Sequence, residues 1–166
     1  MMKRVLIPFT LALLAGPAAA SPELAELWGA KAATLSAQSA DLLDAARHGR
    51  MPALDEDYVI ELERFALNAT RLGMWSDASG GPAALGCTFR SLGAEAESEL
   101  DALEAADTAR STETALSQLM TLFDSAQDLS TAAAWAARHH STQPETASAA
   151  NSPDACPGTP GRIAAR

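Results

Sequence analysis

Sheet-forming residues are scarce in this chain. Its 166 residues include two valines, three isoleucines and 5% aromatics, and β-branched and aromatic side chains are the ones that populate strands. Alanine is abundant in their place, which favours helix. Cations are short as well: 12 Lys and Arg stand against 21 Asp and Glu, for a formal charge of −9. A chain so acidic repels phosphate backbones, and nucleic acid is excluded as an expected partner. The sequence holds only three histidines, His48, His139 and His140, and none has an acid and a nucleophile beside it in an evident triad. There is no C-x-x-C-H, H-E-x-x-H, G-x-S-x-G or Walker run, and no paired Glu-x-x-His. These absences place a binding or interaction role ahead of an enzymatic one.

No apolar run reaches the roughly 20 residues that span a bilayer. The run from Val5 to Leu14 follows Lys3 and Arg4 and precedes the small residues Ala18-Ala19-Ala20. That order is the three-part pattern of a secretory signal peptide, with cleavage expected before Ser21. Residues 1–20 are accordingly assigned as the signal, and localisation is expected to be periplasmic or secreted, with a bacterial cell-envelope role. Loss of Lys3 and Arg4 takes the formal charge from −9 to −11.

Residues 21–140 read as one helical domain, long enough for a single core. The first predicted helix runs from Pro22 to Arg47, with Leu24, Trp28, Leu35, Leu42 and Ala46 as its stripe. Pro22 and Glu23 suit a helix start, and Arg47-His48-Gly49 suits a stop. The second runs from Asp55 to about Trp75 on the stripe Tyr58, Leu62, Phe65, Ala69, Leu72, Trp75. Gly80-Gly81-Pro82 then breaks the chain. The third helix runs to about Ala106 on Leu85, Phe89, Leu92, Ala96, Leu100 and Leu103. Asp107, Thr108, Ser111 and Thr112 are candidate caps for a fourth, which carries Leu116, Leu119, Phe123, Ala126, Ala133 and Ala137 and ends near His140. Short connections predict an antiparallel up-down-up-down four-helix bundle. Residues 141–166, rich in Pro, Ser and Ala, are expected to form an irregular tail.

Two cysteines, Cys87 and Cys156, are an even count in an exported chain, so a disulfide tethering that tail is expected. In the chain-entropy description so long a loop contributes about 4 kcal/mol. The competing readings are a metal or cofactor thiolate, an intermolecular bridge, and thiol-redox chemistry, since Cys87 lies near a helix start with Arg90 one turn on, and both favour thiolate.

Antiparallel topology sends Trp28, Trp75, Trp135, Met74, Cys87, His139 and His140 to one end. Trp28, Trp75 and Trp135 are the candidate ligand pocket there. His139, His140 and Met74 are the candidate ligands for copper or haem iron; the alternative is an apolar plug with no cofactor. In signal peptide, size and helix count the chain resembles the exported four-helix cytochromes, a likeness of architecture that implies a haem held between helices. The covalent haem-attachment run is missing, and the first helix contains no methionine. The opposite end gathers Asp41, Asp44, Asp55, Glu56, Asp57, Asp101, Glu104 and Asp107, partly offset by Arg47, Arg50 and Arg110. That end is a candidate docking face for a basic protein or a cation, or simply a solvated surface. The Asn68-Ala69-Thr70 sequon falls inside the second helix and is read as coincidental. N-terminal sequencing of the exported protein checks the signal assignment: the expected first residue is Ser21.

Overall fold

A computed structural model of the chain describes residues 22–79, 82–139 and 156. The signal segment, His140 and the tail apart from Cys156 lie outside the described residues. Four helices are present: α1 Pro22–Arg47, α2 Glu56–Ala78, α3 Ala83–Glu104 and α4 Ala109–His139. No strand occurs among the described residues.

Local chemistry fixes the helix ends. At the end of α1, Gly49 takes φ 72°, a left-handed conformation that glycine adopts without steric cost. Its N–H reaches the Ala46 carbonyl at 2.9 Å, and the Arg50 N–H reaches that of Ala45 at 3.1 Å, so orphan carbonyls are satisfied. At the start of α2, the Asp55 carboxylate accepts from the Asp57 N–H at 3.2 Å. Of the four cap candidates before α4, Thr108 takes the position. Its hydroxyl accepts from the Ser111 N–H at 3.1 Å, and the Thr108 N–H donates back to the Ser111 hydroxyl at 3.2 Å. This is a capping box with serine in the reciprocal role. Pro82 stands at the cap of α3 rather than inside its first turn, and α2 runs on to Ala78.

The contacts that α1 makes with α4 and with α2 run in opposite directions. Between α1 and α4, Glu26 pairs with Arg138 and Arg47 with Glu113. Between α1 and α2, the Trp28 indole meets Phe65 and the Ser39 hydroxyl meets Tyr58. The α1–α4 and α2–α3 contacts are the extensive ones, and the diagonal pairs have no close backbone approach among the described residues. The result is a four-helix bundle made of two tight pairs.

Small residues make those pairs tight. A Cβ added at Gly73 would lie 2.8 Å from the Gly86 carbonyl oxygen, and one at Gly93 would lie 2.9 Å from that of Ala66. Gly29 packs against Ser130 in the same manner, a Cβ there coming 2.7 Å from the serine Cβ. Between the pairs lies a layer of larger side chains. Phe65, Phe89, Phe123, Leu35, Leu62, Leu72, Leu116 and Leu119 are all buried, each contributing about 1.5–3 kcal/mol over an exposed position. Trp28 stacks on Phe65 with ring centres 4.6 Å apart and meets Phe89 edge-on at 5.3 Å. Its indole N–H donates to the Phe65 carbonyl at 3.0 Å.

Two predictions follow from this packing. Gly73→Ala gains about 1 kcal/mol of helix propensity but drives a methyl against backbone, where overpacking costs about 1–3 kcal/mol. The expected net result is a lower urea midpoint. The second concerns Tyr58, whose hydroxyl shares a buried hydrogen bond of 2.8 Å with Ser39. Burial pushes the phenol above its ordinary value, and the Ser39 bond offsets part of that. The folded state thus holds this proton more tightly than the unfolded chain. The contribution is intact below about pH 10, the unfolded value, and is lost as pH rises through the raised folded value. Urea unfolding between about pH 9 and 11 should show wild type losing stability more steeply than Tyr58→Phe.

Candidate functional site

The strongest polar constellation lies where the end of α2 meets the start of α3. Cys87 and Cys156 stand at disulfide distance, with Cα atoms 5.4 Å apart and a sequence separation of 69. Cys87 sits in the second turn of α3, and both cysteines are half-buried. The Arg90 guanidinium lies over the sulfurs, its Nη2 3.1 Å from Cys156 Sγ and 3.5 Å from Cys87 Sγ. Its Nη1 pairs with the Asp77 carboxylate, in an ion pair whose side chains are only 22% and 25% exposed. Gly86 admits that carboxylate to α3: a Cβ at residue 86 would collide with it. Next to Asp77, the Ser76 hydroxyl is fully buried with no hydrogen-bond partner among the described residues. Arg90 was legible beside Cys87 from its one-turn spacing. Asp77 was not, because it arrives from another helix.

The three tryptophans occupy three different settings. Trp28 is sealed in the core at 2% exposure, Trp75 is partly buried against it, and Trp135 is 59% exposed on α4. No ring contact joins any two of them among the described residues; their partners are Phe65 and Phe89 for Trp28 and His139 for Trp135. Topology placed them at similar heights but could not give the direction each faces. The structure therefore does not assemble Trp28, Trp75 and Trp135 into a shared pocket.

Of the candidate metal ligands, Met74 and His139 are also apart, and His140 lies outside the described residues. Met74 is 64% exposed on α2, His139 is exposed on α4, and these two helices are diagonal in the bundle. His139 stacks on Trp135 with ring centres 4.4 Å apart, and its Nδ1 bonds to the Trp135 carbonyl at 2.7 Å. No group of three His, Cys, Asp or Glu side chains converges as a metal site among the described residues. At the acidic end, Asp41, Asp44, Asp55, Glu56, Asp57, Asp101, Glu104 and Asp107 are all exposed.

Outside the expected sites, a groove of about 450 Å³ runs between α1 and α4. Gly29, Ala30 and Ala33 line it from α1, and Gln127, Ser130, Thr131, Ala134 and Trp135 line it from α4. The Glu26–Arg138 ion pair spans its mouth. The small side chains that let α1 and α4 approach also leave this channel open on the outer side. The signal for it was in the sequence: a glycine inside a helical pattern costs about 1 kcal/mol and needs a packing reason.

No helix among the described residues is long and apolar enough to cross a membrane. Compared with known proteins, the chain matches no family model, and no curated protein or solved structure is significantly similar to it.

Proposed function

We propose that this protein is an exported, non-enzymatic helical bundle with a binding role in the bacterial cell envelope, and that the α1–α4 groove is its binding site. The observation that carries the reading is Trp135: a large apolar ring, 59% exposed, lining a channel of about 450 Å³. Small-ligand sites have volumes of about 300–1,000 Å³, with mostly apolar walls and a few polar groups that orient the ligand. Here the walls are Gly, Ala and Thr, the stacking face is Trp135, and the polar groups are the Ser130 hydroxyl and the Glu26–Arg138 pair. The ligand class is a flat, partly apolar molecule. The net charge favours a basic protein partner at the acidic end over an acidic one.

The test uses an anilinonaphthalene sulfonate dye as a flat probe, with binding read by its fluorescence and by quenching of tryptophan emission. Wild type should bind it saturably. Trp135→Ala and the groove-filling Ala33→Trp should each weaken binding at least about tenfold, the loss of one good aromatic contact. Equal binding by all three proteins overturns the groove assignment. Absorption spectra and elemental analysis of natively purified protein address the cofactor alternative. A haem band, or stoichiometric copper, would redirect attention to His139, His140 and Met74.

A further inference from the structure

We infer that the Cys87–Cys156 pair, with Arg90 and Asp77, is a thiol–disulfide exchange site that a dithiol reductant opens reversibly. A disulfide that serves only as a staple needs no charge beside it. This one has a guanidinium whose Nη2 donates to both sulfurs, at 3.1 and 3.5 Å. On its other side the guanidinium pairs with Asp77, whose carboxylate occupies space that Gly86 leaves open. A cation in contact with sulfur stabilises thiolate over thiol, and the better a thiolate is stabilised, the faster it leaves. The N-terminal end of α3 adds a weaker contribution of the same sign at Cys87. Neither cysteine is sealed in the core: both are half-buried.

The reaction is a two-electron exchange. A thiolate of the dithiol attacks one sulfur of the pair and forms a mixed disulfide. The Cys87–Cys156 bond breaks, and its electron pair stays on the other sulfur as thiolate beside Arg90 Nη2. The second thiol of the reductant, once deprotonated, attacks the mixed disulfide and expels the remaining cysteine sulfur. The reductant leaves as a cyclic disulfide, and its two protons pass to the released sulfurs or to solvent. Arg90 touches both sulfurs, so it assists departure from either. The physical consequence is a covalent link between α3 and residue 156 that can be opened and remade. Asp77 moderates it: the carboxylate takes up part of the guanidinium charge, so removing the carboxylate should speed the exchange.

The experiment measures reduction of the mature, oxidised, full-length protein by dithiothreitol at pH 7, with thiols counted by alkylation and mass spectrometry. Arg90→Gln is expected to slow reduction about tenfold, Arg90→Lys to recover part of the rate, and Asp77→Asn to raise it several-fold. In the reduced wild type, Cys87 should be alkylated at pH 6 faster than a free cysteine, an advantage that Arg90→Gln removes. Helicity by circular dichroism confirms that each variant is folded. If Arg90→Gln does not fold, Asp77→Asn and the wild-type alkylation rate decide. Rates within about twofold of wild type across the folded variants, or an Asp77→Asn protein that is slower, would overturn the assignment and leave a passive disulfide.

Discussion

The Trp28 indole lies flat on Phe65 and edge-on to Phe89, while its N–H holds a carbonyl of α2. Phe65 in turn meets Phe123 edge-on at 5.4 Å. One ring from each of the four helices enters this cluster, and the relative height of the helices is set by it. A slip of one helical turn, about 5.4 Å, would separate the rings and strand the indole N–H in an apolar interior, where an unpaired donor costs about 1–3 kcal/mol. The Ser39–Tyr58 hydrogen bond repeats the constraint toward the other end of the α1–α2 contact. These two buried polar contacts specify register, which a layer of leucines does not.

Glycine and alanine govern the other dimension, the distance between helices. At the tight pairs the backbones meet through Gly73, Gly86 and Gly93 on one side and Gly29 with Ser130 on the other. Both candidate sites are by-products of these approaches. Gly86 clears the space for the Asp77 carboxylate beside Arg90, and Gly29 with Ala30 and Ala33 leaves the channel that Trp135 overlooks. The high alanine content therefore does more than favour helix. It thins the walls of the bundle where chemistry is placed.

The helices were readable because their signals are local. Asp55, Thr108 and Gly49 end or begin helices through hydrogen bonds spanning a few residues, and the stripe from Tyr58 to Leu72 shows its period directly. The sites were less readable because they depend on facing direction. Trp28 and Trp135 sit at comparable heights on α1 and α4, yet one turns into the core and the other out over the groove. Trp135 is rotated by about 100° from the buried Ala134, which is enough to move it from core to rim. Asp77 belongs to the same class: its partner is 13 residues away on another helix, beyond any spacing rule. The Cys87–Cys156 pairing is expected from an even count in a chain read as exported, not from geometry.

The dominance of the α1–α4 contact also bears on how the chain comes together. The α2–α3 pair joins neighbours in sequence and closes through a short connection. The α1–α4 pair joins the first helix to the last, and its Glu26–Arg138 contact is 112 residues apart. Closing so long a loop carries a larger entropic cost and is slow relative to local pairing. During synthesis α1 emerges first but lacks its principal partner until the final helix is made. Trp28 finds Phe65 and Phe89 on α2 and α3, but the side of α1 that packs on α4 must wait, so the half-made chain lacks the helix that closes the bundle. A chain that stays unfinished until its last helix arrives remains threadable, which suits a protein read as crossing a membrane before it folds.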